Sequence, residues 1–241
     1  MANAKPDQQS VADRIASVCQ TDSETELKAD KLNLQVYRTI REAILSGVLA
    51  RGELLSSRVI AQALGTSPMP VREALGQLVI EGALESAPNR AFRIPFIDLH
   101  QFRQLLLMRL RLETLAAEHA ATRATTTDLA SIRQHLTRLE RDQELSHLGY
   151  LSSHRLFHFS IYASANLSLV YASIESLWLR LAPLMNTAGE WADRREEIVH
   201  HRALMRAMDS SDAVAARNAV QDDLISAGKR ITAYFERLEN R

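Results

Sequence analysis

Hydrophobic and polar positions change rhythm twice along this chain. Residues 1 to about 30 mix charges (Lys5, Asp7, Asp22, Glu24, Glu26, Asp30) with weak apolar periodicity, which predicts a mobile N-terminal tail over 1–30. From Leu32 a helical period sets in. The run "LNLQVYRTIREAILSG" puts Leu34, Val36, Tyr37, Ile40, Ile44 and Leu45 on one face, and Gly47 can supply a left-handed C-cap. "SSRVIAQALG" reads as a second, shorter helix with Ser56 or Ser57 as cap, Ile60 and Leu64 inward and Gly65 at its end.

A proline pair follows in "LGTSPMPVREALGQL". Inside a helix each proline costs roughly 3 kcal/mol. With Ser67 as N-cap, however, Pro68 takes the first helical position and Pro70 the third, where the backbone N–H has no helical partner to lose. The prolines therefore predict the start of a third helix, Pro68 to about Glu81, burying Val71, Leu75, Leu78 and Val79. "ALESAPNRAFRIP" then reads as two short extended segments around "APNR", a small hairpin. Helix, helix, tight turn, helix, hairpin is the element order of a winged helix-turn-helix, placed at residues 31–96.

Past Asp98 only helical patterning remains, at about 98–122, 126–146, 150–164, 167–187, 190–209 and 212–237. The breaks are short ("TTTD", "SAN", "SSD"), and Asp128, Asn166 and Asp212 suit N-cap positions. No fixed-period repeat is visible, which argues against a solenoid. The fold class is mainly α: an N-terminal winged helix-turn-helix and an all-helical bundle over 97–241.

Composition narrows the function. Lys and Arg total 29 against 29 Asp and Glu, so no global field advertises a polyanionic partner. The 31–96 segment is nonetheless mildly basic. Lys31, Arg38, Arg41, Arg51, Arg58, Arg72, Arg90 and Arg93 face Glu42, Glu53, Glu73, Glu81 and Glu85. Cys19 alone leaves no internal disulfide and fits a reducing compartment. The absence of a long apolar run or signal-type segment predicts a cytoplasmic protein with no membrane partner.

Histidines are the main candidates for chemistry. His154 and His158 stand four apart in "HRLFH", on one helical face and at a chelating spacing. Arg155 occupies the place where metal-dependent hydrolases of the H-E-x-x-H type carry their glutamate. His201 and Asp223 lie about equally far from Asp212, so an antiparallel helix pair would set them side by side. His200 takes the place of His201 if the helix phase shifts by one.

The segment "SPMPVREALGQLVIEGAL" resembles "SRTPVREALRRLEAEGLV" of the GntR family of bacterial transcription regulators, and Val36 to Ile94 resembles that family's DNA-binding domain. The C-terminal part is similar to the family's FadR-like branch, whose helical FCD-type ligand-binding domain carries R-x-x-x-E, D-x-x-x-H, E-H and G-D…H segments. The likeness spans about residues 34 to 235. It implies a ligand-responsive regulator, more often a repressor than an activator, acting as a homodimer on double-stranded operator DNA with an inverted repeat. One recognition helix covers only a few base pairs, and two-fold protein symmetry matches palindromic sites.

The DNA-contact candidates are Arg58, Ser67, Met69, Pro70, Arg72, Asn89 and Arg90. Arg72, on the first turn of the third helix, can reach guanine edges or phosphate. Ser67 and the free N–H groups of that turn suit a phosphate oxygen, and Arg58, Asn89 and Arg90 suit backbone or minor-groove contact. Pro68 stands where the family usually has a DNA-touching arginine, and Ala91 replaces the usual wing glycine, so operator preference should differ from common relatives and affinity be lower.

In the FadR-like branch one Asp and three His hold a metal. Mapped onto this chain, the leading aspartate falls on His154, the next ligand on His158, the "E-H" histidine on His201 and the last histidine on Asp223. Two positions have exchanged identity while the total stays at three imidazoles and one carboxylate. That set suits a divalent transition metal (Zn, Ni, Fe or Mn). Arg109 matches the family's cavity-facing arginine and can take the carboxylate of a small organic-acid effector, with Glu113 and Arg180 beside it. Two alternatives stand against these expectations. Arg109 and Glu113 form an ordinary surface ion pair, with Trp178 simple core. Or the histidine cluster serves a metal-dependent hydrolase, which predicts a general base nearby and leaves residues 31–96 without a role.

Overall fold

A computed structural model of the chain describes residues 8–19, 29–142, 147–189 and 194–239. The chain forms two compact units that part between Phe96 and Ile97, with Ala182–Leu184 grouped with the first.

The first unit is built on α1 (Gln8–Cys19), α2 (Ala29–Leu45), α3 (Ser57–Ala63) and α4 (Pro68–Ile80), with strands β1 (Leu54–Leu55), β2 (Glu85–Ala87) and β3 (Ala91–Arg93). The apolar stripe of α2 buries Val36, Ile40, Ile44 and Leu45, while Leu34 stays exposed. Gly47 ends the helix at φ 74°. Helix α4 starts at Pro68 with Ser67 as N-cap, and Val71, Leu75 and Leu78 face the core. The hairpin β2–β3 forms where "APNR" turns the chain, with Ser86 opposite Phe92. The left-handed conformation falls on Asn89 and Arg90, both at φ 59°, whereas Ala91 is extended at φ −85°. Alanine in place of a wing glycine is therefore unstrained, since position 91 does not require positive φ.

Two features depart from the sequence expectations. Strand β1 was not foreseen; it pairs antiparallel with β3, Leu55 opposite Phe92, and makes the strand order β1-β3-β2. Two residues are too few to carry a period. The expected mobile tail is also corrected for Gln8–Cys19, which is a helix burying Val11, Ala12 and Ile15. These three positions follow helical spacing on an otherwise polar segment, and α1 packs on α2, α3 and β1. Arg14 ties it down: its guanidinium meets Glu53 at 2.6 Å and also donates to the Val48 carbonyl. The other positions of the expected tail, 1–7 and 20–28, lie outside the described residues.

The second unit holds α5 (Leu99–Arg123), α6 (Thr126–Asp142), α7 (His147–Ser164), α8 (Ser168–Gly189), α9 (Arg194–Asp209) and α10 (Ala213–Glu239). Asp98 and Gln101 form a reciprocal capping box at the start of α5. Asp212 caps α10 as expected, accepting from the Ala215 N–H at 2.9 Å. Asp128 instead sits inside α6, where it accepts from Thr125, and Asn166 is a left-handed turn residue at φ 52°. Helix α5 packs on α10, α7 and α9, and α9 packs against α10. The α5–α10 approach is close: a Cβ on Gly228 would lie 2.6 Å from Leu106 Cδ2.

Replacing the fully buried Ile15 by Ala should lower the unfolding free energy of the first unit by about 2–5 kcal/mol, as for buried isoleucines generally. Urea denaturation followed by circular dichroism measures this; an unchanged midpoint would mean that α1 does not pack.

Candidate metal centre and nucleic-acid interface

Helix α4 presents its N-terminal turn outward. Ser67, Pro68, Met69 and Arg72 are exposed, with Met69 at 70%. The Ser67 hydroxyl makes no capping bond, although the residue occupies the N-cap with φ −80° and ψ 157°. Pro68 and Pro70 carry no N–H, so Ser67 and Met69 supply the orphan donors of this turn. Pro70 is corrected as a contact residue: its ring is buried, so it shapes the helix start from inside. Arg58 on α3 and Asn89 and Arg90 at the hairpin tip are exposed.

In the second unit four side chains from three helices converge. His154 and His158 come from α7, His201 from α9 and Asp223 from α10, and one donor atom of each lies within 4.8 Å of the others. All are buried, His201 completely. The two imidazole Nε2 atoms of His158 and His201 are 3.1 Å apart, and they stand 3.5 and 3.6 Å from the Asp223 oxygens. Donors sharing one ion at about 2.0–2.2 Å lie about 3–3.6 Å from one another, so the spacing of His158, His201 and Asp223 fits a bound cation, with His154 beside them in the looser set. His200, the alternative to His201, is half-buried and outside the cluster.

Burial also sets the protonation states. It holds His154 and His158 well below the ordinary imidazole range and lowers His201 to about 4. Asp223 is pushed up to about 6, again chiefly by burial. Three neutral imidazoles are in the metal-binding form. Among the described residues no arginine or lysine forms an ion pair with the buried carboxylate beside them, whose contacts are those imidazole nitrogens at 3.5 and 3.6 Å. Nδ1 of His154 has no hydrogen-bond partner among the described residues.

A second layer orients His158. Glu113 on α5 has no exposed surface and accepts from Arg109 Nε at 2.5 Å and Nη2 at 3.2 Å, from Tyr162 Oη at 2.6 Å and from Trp178 Nε1 at 3.0 Å. Since Tyr162 gives its proton to Glu113, its oxygen can only accept at the 3.1 Å contact with His158 Nδ1. His158 therefore carries its proton on Nδ1 and turns a bare Nε2 toward the cluster. This is the hydrogen-bonding pattern that fixes metal-ligating histidines.

A cavity opens beside the cluster, lined by Arg109, His154 and Asp223 together with Tyr150, Glu197 and Arg230. Arg109 is 4% exposed, which removes the surface ion-pair alternative; the pair with Glu113 is buried. Glu113 is corrected as an effector contact because it lies behind Arg109 with its oxygens occupied. Arg180 is corrected too: it is exposed and not among the cavity residues. Trp178 is core, with Arg109 stacked over its ring at 4.8 Å. Tyr150, Glu197 and Arg230 were missed. The signal was present, since Tyr150, His154, His158 and Tyr162 recur every four residues on α7, and Glu197 precedes His201 by four. Glu197 accepts from both Tyr150 and Arg230.

Comparison with known proteins places both halves. Residues 32–94 match the family of bacterial regulatory proteins called gntR, and residues 104–225 match the FCD domain. The chain is 32% identical over 200 residues to the HTH-type transcriptional regulator McbR of Escherichia coli K12, covering 81% of this chain and 90% of that protein. It is 26% identical over 207 residues to the HTH-type transcriptional repressor RspR of the same organism, covering 83% and 90%. The solved structure of E. coli McbR/YncC superposes with a TM-score of 0.77 at 30% identity, covering 86% of this chain and 98% of that one. A winged helix-turn-helix followed by such a helical domain defines a DNA-binding transcription regulator. The chain belongs to the GntR family and carries the FCD domain of its FadR-like branch. Among the described residues no helix is long and apolar enough to cross a membrane. The hydrolase alternative gains no support, since these relatives are named as transcription regulators.

Purified protein loaded with zinc and desalted should retain the metal, and His158→Ala should lose it by elemental analysis. Tyr162→Phe should keep the ligands but weaken zinc binding about 10- to 100-fold. Equal zinc in all three would remove the cluster as its site.

Proposed function

We propose that this regulator is a repressor whose hold on its operator is released by a small carboxylate bound beside a metal ion in the FCD domain. The observation that carries this reading is the juxtaposition of a buried three-histidine, one-aspartate cluster with a cavity containing Arg109 and Arg230. His154, His158, His201 and Asp223 would hold the ion, which supplies a Lewis-acid anchor for a carboxylate oxygen. Tyr162 keeps His158 in the ligating tautomer, and Arg109 is held in place by Glu113.

At the other end, a homodimer would present two copies of α4 to successive major-groove turns of an inverted repeat. Arg72 reads base edges. Ser67 and Met69 offer backbone donors to a phosphate, with the α4 dipole favouring the anion there. Arg58, Asn89 and Arg90 hold the flanking backbone or minor groove. The effector lowers operator affinity only by as much as it prefers the unbound form of the dimer, a coupling of typically 1–3 kcal/mol.

Arg72→Ala should weaken operator binding by about 1–3 kcal/mol and relax base preference at one position. Fluorescence anisotropy on the operator and on single-base variants reads both. Unchanged affinity and preference would take Arg72 out of the interface.

A further inference from the structure

We propose that the FCD cavity selects a monoanion with an apolar body, a single carboxylate on a short hydrocarbon, and discriminates against di- and tricarboxylates. The inference rests on the cluster holding a divalent ion. It follows from which charges around the cavity are already matched.

Two arginines face the cavity, and at first sight they would welcome a polyanion. Both are spoken for. Arg109 is engaged by both oxygens of Glu113, and the pair is buried, at 4% and 0% exposure. Arg230 is paired with Glu197. Neither carboxylate is easily displaced by a ligand. Glu113 is also held by Tyr162 and Trp178, and Glu197 by Tyr150. Swinging either aside would leave a buried carboxylate and its remaining donors mismatched.

With both pairs neutral and the imidazoles neutral, the remaining charges are a divalent ion and Asp223. Two positive and one negative leave a single positive charge, which one carboxylate cancels. Among the described residues of the cavity wall neither arginine is left unpaired for a second carboxylate, which would enter a low-dielectric space without an arginine partner. Apart from Tyr150 and His147, whose Nε2 meets the Asn186 carbonyl at 2.9 Å, the rest of the wall is apolar: Leu151, Met185, Leu224, Ala227 and Ile231 offer hydrocarbon to the body of the ligand.

Calorimetry on the zinc-loaded full-length protein at pH 8, where ordinary imidazoles are neutral, tests this with butanoate and glutarate. Butanoate should bind at least about tenfold more tightly than glutarate. In Glu197→Gln, which frees the charge of Arg230, glutarate should gain about tenfold or more relative to butanoate. Glutarate binding as tightly as butanoate, or more tightly, in the unaltered protein would overturn the proposal, and that comparison needs no variant. Protein that retains zinc but binds neither acid also overturns it while leaving the metal reading intact. Protein that retains no zinc overturns the metal reading itself, and this proposal with it.

Discussion

A carboxylate with no exposed surface must find donors for every lone pair or leave its charge uncompensated, and Glu113 meets that demand with three different residues. Arg109, Tyr162 and Trp178 all point at it, from α5, α7 and α8. Each of them also does something else. Arg109 forms part of the cavity wall, Tyr162 reaches His158, and Trp178 packs against the rings of His154 and His158. Fixing one buried charge therefore fixes a cavity cation, a histidine tautomer and an aromatic wall together. Through Tyr162 and Trp178 that arrangement reaches the two α7 members of the cluster, His154 and His158.

Pairing explains how so many ionisable groups are held in this buried region. Charges deep in a bundle are tolerated when paired and hydrogen-bonded. Glu113 with Arg109, and Glu197 with Arg230 and Tyr150, satisfy that condition within the chain. Asp223 does not, and burial raises its pKa to about 6. The molecule sets Asp223 beside three neutral imidazoles, while Glu113 and Glu197 are each matched by an arginine. That asymmetry is what a cation site requires, and it also limits the anion that can follow the cation in.

Much of this was legible from residue order. The proline pair marked the start of α4 because helix starts are the one place where a missing N–H is harmless. The cluster was legible because His154 and His158 obey a helical period and Asp212 marks the turn about which His201 and Asp223 face each other. Other features were not. Helix α1 has only Val11, Ala12 and Ile15 to reveal it, within a polar segment, and β1 is too short to show alternation. Arg180 was misplaced because Trp178 points inward and two further residues turn a helix by about 200°. The pairing of Glu197 with Arg230 joins positions on α9 and α10 that share no local period, so only the packed structure brings them together.

X-ray absorption at the zinc edge of the metal-loaded protein tests the central claim most directly, because it reads the ligand atoms themselves. A first shell of nitrogen and oxygen donors without sulfur is expected, with outer-shell scattering from three imidazoles. A spectrum lacking imidazole scattering, or one indistinguishable from hydrated zinc, would contradict it.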